Sequence, residues 1–145
     1  MYRNVLLACH ITAVAAWLGC NLTQLFLTPW FAARGGEAAA TWFEATSRLA
    51  KRYYNAAGAV LVTTGILLVL KAGYDWSAGF IAVGFTVVIV GAVLGITFFG
   101  PDGDRMAATQ RSGGTPDVRR YLVMVCVDTT FVATAVLAMV ARWRA

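Results

Sequence analysis

Two residues of this chain, His10 and Asp128, are ionisable and sit inside runs that carry no other ionisable group but cysteine and tyrosine. Lipid gives such a group no solvation, and an Asp at a helix centre costs ~2.5 to 3.5 kcal/mol on insertion scales. Each therefore needs a partner or a task. At ~100° per residue, His10, Trp17, Asn21 and Gln24 fall within a stripe ~60° wide on one helix, so the polar groups of that segment share a face. At ~1.5 Å per residue, Asp128 lies ~10 Å inside the end of its own run. That depth matches Asn21 and Gln24 better than His10. The expected arrangement is an Asp128 hydrogen-bonded to Asn21 or Gln24, with Thr129 and Thr130 extending the network. Two roles stay open for it: a polar clamp worth ~0.6 to 2 kcal/mol, or a proton relay.

For His10 the reactive reading is an axial ligand to haem iron, since neutral imidazole binds iron and helical bundles hold cofactors in their interiors. The plain reading is a buried imidazole bonded to a nearby carbonyl or hydroxyl. The chain has one histidine, so a second axial ligand would be water, another side chain or a histidine of a partner subunit. Cys9, Cys20 and Cys126 also lie in apolar runs; an odd count without a CxxC suggests small apolar residues, not a disulfide framework or zinc site. Met106, Met124 and Met139 form no thioether cluster of the sort copper selects.

The elements that must position these groups are legible in the composition. Of 145 residues, 59% are apolar and 13% charged, against about a quarter charged in soluble proteins. The apolar residues gather into four runs, 5–27, 54–70, 80–99 and 121–141, none containing Lys, Arg or Pro. A hydrocarbon core ~30 Å thick takes ~20 residues of helix. The second run is the shortest and reaches the interface through Tyr53 or the snorkelling Lys71. Continuous runs are not the ~10-residue alternating segments of a membrane barrel. The expected fold class is all-α, a single transmembrane domain built as a four-helix bundle. Arg3 ahead of an apolar stretch ending Leu18-Gly19-Cys20 loosely matches a lipoprotein leader, but its length suits a retained span.

The net charge of +5 would suit a nucleic-acid binder, yet its distribution instead fits membrane orientation. Arg34, Arg48, Lys51 and Arg52 fall in the first connection and Arg105, Arg111, Arg119 and Arg120 in the third. Only Arg3, Lys71, Arg142 and Arg144 fall on the other side. The positive-inside rule then places both termini outside and the long connections in the cytoplasm, as in a bacterial cytoplasmic membrane. Within the first connection, Thr28 to Tyr53, residues 37–49 read as an additional amphipathic helix at the membrane surface, with Trp42, Phe43 and Leu49 on its apolar side. Gly35-Gly36 separates it from the first run. The third connection, rich in turn formers and without phosphate-loop spacing, reads as a linker. Gly58 and Gly65, Gly84 and Gly91, and Gly91 with Gly95 mark helix faces able to approach closely.

The pattern His10-Ile-Thr-Ala-Val-Ala-Ala-Trp17-Leu-Gly19 resembles the first helix of the copper-resistance D-like membrane domains and of the small membrane protoporphyrinogen oxidases of the HemJ type. The likeness is specific over some fifteen residues and general beyond them. It implies a four- or five-helix membrane protein in which His10 contacts haem, with Trp17 packed beside it. The oxidases carry a Lys and further His near the third span, and 80–99 contains neither, which argues against porphyrin oxidation. The leading expectation is thus a haem-associated or redox-linked membrane protein. The others are a non-catalytic subunit packed in a homo-oligomer or larger membrane complex, and a proton or solute conduit through Asp128.

Overall fold

Helix α1, Tyr2–Arg34, is 33 residues long, about 50 Å at 1.5 Å per residue and well over the ~30 Å of a hydrocarbon core. The computed structural model describes residues 2–141; Arg142 and Arg144, two of the charges weighed above, lie outside the described residues. The chain then reverses at Gly35 and Gly36, whose φ of 65° and 57° are left-handed values that side chains disfavour. Helix α2, Gly36–Arg48, follows. It passes through a π-helical turn, Leu49–Tyr53, straight into α3, Tyr54–Ala72. After a short reversal, α4, Gly79–Leu94, passes through a second π-helical turn, Gly95–Phe99, into α5, Gly100–Arg111. Helix α6, Val118–Ala141, completes the fold.

Every described element is helical, and four continuous helices are long and apolar enough to cross a membrane: Tyr2–Arg34, Gly36–Lys71, Gly79–Arg111 and Val118–Ala141. Helices α1, α3, α4 and α6 form a ring in which each touches the next. Their outward faces carry Phe26, Leu70, Ile89, Ile96, Leu137 and Val140, all more than 60% exposed. Large apolar residues clustered on an outer surface mark contact with an apolar phase or another protein.

The helix expected over 37–49 is present as Gly36–Arg48, and the π-turn joins it to the second run. The third connection is no loose linker: the π-turn Gly95–Phe99 runs straight into α5 through Pro101, and only the stretch after Arg111 turns. Helices α2 and α5 pack side by side beyond one end of the ring, and we call this pair the hairpin. Phe43, Met106 and Ala107 form its core with Tyr121 of α6, and Phe43 and Tyr121 are wholly buried. α1 continues through Pro29 to join them: Thr28 accepts the Trp42 indole N–H at 3.0 Å and Phe31 stacks on Trp42.

Three of the eight cations that mark the long connections pair with acidic residues of the same connections. Arg111 bridges Glu37 and Glu44 of α2, at 2.9 and 2.5 Å, Lys51 pairs with Asp104, and Arg105 pairs with Asp102 at 2.9 Å. Hydrogen bonding from Arg111 holds both glutamates below the usual carboxyl range and raises the Arg111 guanidinium further. A carboxyl depressed in the folded state stabilises above its unfolded value, about 4.3 for Glu, and loses that contribution as pH falls through the folded one. Because these groups are exposed the effect is small. Thermal melts between pH 7 and 3 are expected to show a slight loss on acidification, and Arg111→Gln should remove that part of it.

The closest backbone approach is at Gly103 of α5, where a Cβ would stand 2.9 Å from the Ser47 backbone N and 3.0 Å from the Phe43 carbonyl O. Neither backbone atom can swing aside. Gly103→Ala is expected to destabilise by about 1 to 3 kcal/mol by overpacking, although Ala is the better helix former. Gly19→Ala, on an open face with nothing within 4 Å, should be neutral or stabilising in the same denaturation assay.

Candidate functional site

The buried side of α1 runs Leu6, Ala13, Trp17, Asn21, Gln24 and Thr28, steps of three, four and seven that keep one face turned into the ring. Polar groups on that face meet others from α3 and α6. Asp128, 2% exposed, accepts at Oδ2 from the Trp17 indole N–H at 2.9 Å and from the Asn21 amide at 2.7 Å. Asn21 Oδ1 accepts from the Tyr54 hydroxyl at 2.5 Å, and that hydroxyl accepts from the Gln24 amide at 2.7 Å. Gln24 Oε1 accepts from the Tyr121 hydroxyl at 2.5 Å. From Tyr121 through Gln24, Tyr54 and Asn21, every link donates toward Asp128. Bonds aligned in this way polarise and strengthen one another in a low-dielectric interior.

The chain of bonds ties α1, α3 and α6 at one level of the ring and descends toward the hairpin. Helix α4 contributes shape: a Cβ at Gly91 would stand 2.5 Å from Trp17 Cζ2 and 3.5 Å from Asp128 Oδ1. On the α3 side, a Cβ at Gly58 would stand 3.6 Å from Trp17 Cζ3. The indole thus fills a slot whose walls are glycine, and its T-shaped contact with Tyr54, centroids 5.3 Å apart, closes a third side.

Above Trp17, toward the N-terminal end of α1, the ring forms a partly open cavity of about 290 Å³ with contributions from all four helices. Its walls are apolar apart from Arg3, His10 and Tyr74, and Trp17 forms its floor. His10 Nδ1 lies 2.9 Å from Thr64 Oγ1, and the Thr64 hydroxyl is 2.6 Å from the Val60 carbonyl. A carbonyl can only accept, so the Thr64 proton points to Val60 and its oxygen receives the Nδ1–H of His10. The other nitrogen, Nε2, then keeps its lone pair. A Cβ at Gly65 would stand 3.5 Å from His10 Cε1, so this glycine leaves the ring its position. Met139 of α6 lines the same cavity.

The structure thus brings Asp128 together with Asn21, and links Gln24 to them through Tyr54 and not directly. Trp17 lines the cavity that His10 lines, but its polar edge serves Asp128. Thr129 and Thr130 stand outside the network, since their hydroxyls return to the Val125 and Cys126 carbonyls, as hydroxyls on helices often do. Thr64, Tyr54, Tyr121 and Met139 are additions. The two tyrosines open the second and fourth apolar runs, where a short span would leave them at an interface; the helical extensions enclose them instead. No three His, Cys, Asp or Glu side chains among the described residues gather as a metal site. Searches against family models, curated proteins and solved structures find no match for this chain.

Removal of the Tyr54 hydroxyl takes away one donor and one acceptor at the middle of the polar chain. Tyr54→Phe is expected to lower stability in detergent by about 0.6 to 2 kcal/mol, the range for interhelical hydrogen bonds. Thr129→Val, outside the network, should change it much less in the same assay.

Proposed function

We propose that the chain is a small integral membrane protein whose ring of helices binds a lipophilic cofactor against His10. The observation that carries this reading is the imidazole itself. Its Nδ1–H is fixed by a hydroxyl that is in turn fixed by a backbone carbonyl, and its Nε2 keeps its lone pair on the wall of an apolar cavity. Metal-ligating histidines are oriented in this way by a second partner.

Haem is the group that the first-helix resemblance implies. His10 would hold it through Nε2, and Met139 lines the same cavity. Arg3 on the wall provides a cation for acidic substituents. The cavity, about 290 Å³, stands at the small end of the ~300 to 1,000 Å³ typical of ligand sites, so only a part of a macrocycle would fit within it. Haem bound there would supply one-electron chemistry. The protein's part is to hold the iron-facing nitrogen neutral and oriented, to exclude water with apolar walls, and to close the floor with Trp17. Beneath that floor the Asp128 chain keeps the three helices in register, so the cavity walls keep their spacing.

The four long apolar helices are compatible with insertion in a bilayer, and the charge asymmetry of the sequence supports termini outside and the hairpin within the cytoplasm. Protein purified in mild detergent is expected to show a Soret band that His10→Ala abolishes or shifts. Gly65→Leu, which fills the cavity beside the imidazole without removing it, should lower pigment occupancy. Absence of any band from protein supplied with haem during expression, or a band indifferent to both substitutions, would sink the reading.

A further inference from the structure

The outer face of α6 carries a groove that the ring does not use. It runs between one ridge of side chains at 118, 122, 126 and 130 and another at 119, 123, 127 and 131. These are adjacent i±4 rows, whose spacing produces a groove inclined to the helix axis. The walls are apolar, chiefly Leu122, Val123, Val127 and Phe131, with Cys126 between them. The Thr130 hydroxyl is spent on the Cys126 carbonyl at 2.8 Å, so it leaves no polar demand in the groove. From 118 to 131 the helix rises about 20 Å, slightly more than one leaflet's share of a ~30 Å hydrocarbon core.

At the head of the groove, at the hairpin end, stands Arg119. Of the other cations in the long connections, Arg111, Lys51 and Arg105 are in ion pairs, Arg34 lies over the Trp30 ring and Arg120 over the Phe98 ring at 5.0 Å, while Arg48 and Arg52 make no ion pair among the described residues but do not line the groove. Arg119 makes no ion pair among the described residues and is exposed. Asp117, close in sequence, is occupied at Oδ1 by the Arg120 backbone N–H, at 3.0 Å. The groove is thus apolar for the depth of one leaflet and ends on a cation that has no ion pair among the described residues, where headgroups would lie.

We propose that this face is a binding site for an anionic phospholipid, with the phosphate on Arg119 and one acyl chain along the groove to Phe131. A zwitterionic lipid fits the same walls but brings its own cation to the head of the site. The proposal rests on the four helices spanning a bilayer, and not on any cofactor at His10.

Cys126, exposed within the groove, gives a local reporter. Full-length protein carrying Cys9→Ser and Cys20→Ser, labelled with bimane at Cys126, would be placed in phosphatidylcholine vesicles. Brominated-acyl phosphatidylglycerol or brominated-acyl phosphatidylcholine is then added at equal mole fractions. Preferential quenching by the anionic lipid is expected, about fivefold in effective affinity for one basic residue at the interface, and Arg119→Gln should abolish the preference. As a check free of the label, native mass spectrometry of the unmodified protein should show retained phosphatidylglycerol adducts that Arg119→Gln loses. Equal quenching by both lipids, with no adduct preference, would overturn the site while leaving the helices in the membrane. Quenching by neither would mean that a second copy covers the face or that the helix is not in the bilayer, and either result overturns the proposal.

Discussion

An acidic side chain enclosed by apolar helices, with no cation beside it, must be met by donors, and the ring of helices is arranged around that demand. Asp128 has no ion pair among the described residues; it has the Trp17 indole and the Asn21 amide. Each of these imposes a further condition. The indole is large, so α3 and α4 present glycines to it. The amide has a second end, which Tyr54 must satisfy, and Tyr54 then requires Gln24, and Gln24 requires Tyr121. A buried polar network is costly when half satisfied. Fixing one carboxyl in this interior therefore fixes the rotation of α1, α3 and α6 together.

The same constraint shapes what lies on either side. Above, Trp17 held by its N–H becomes a rigid floor, and the space between it and the N-terminal end of α1 becomes a cavity with His10 on its wall. Below, Tyr121 is both the last member of the polar chain and part of the hydrophobic core of the hairpin. The ring and the hairpin are therefore joined by shared side chains as well as by continuous helices. Two π-helical turns, Leu49–Tyr53 and Gly95–Phe99, stand side by side at that junction. Each adds a residue to a turn and re-aims the helix beyond it. The hairpin helices can then approach closely at Gly103 while the ring helices keep the spacing that the indole and the cavity need.

Much of this was legible before any coordinates. The four apolar runs, the polar stripe of His10, Trp17, Asn21 and Gln24, and the matched depth of Asn21 and Asp128 follow from periodicity and rise alone. The reversal at Gly35-Gly36 follows from glycine's access to left-handed backbone. What was not legible is equally particular. Residues 100–111 contain Gly, Pro and Asp and read as a linker, because local propensity is weak when a facing helix supplies a buried surface. Tyr54 and Tyr121 look like span ends until the helices are seen to continue past them.

Length, composition and the periodicity of polar residues determine in this sequence that four apolar helices exist and which side of α1 is buried, because both depend on spacing within one segment. Which nitrogen of His10 keeps its lone pair, which hydroxyl links Asn21 to Gln24, and which glycine gives Trp17 its place were decided only by the tertiary structure. Those features depend on atoms thirty or more residues apart meeting at hydrogen-bond or van der Waals distance. No periodicity within a single helix encodes such a meeting. It is set when the ring closes and every buried donor and acceptor has to find a partner at once.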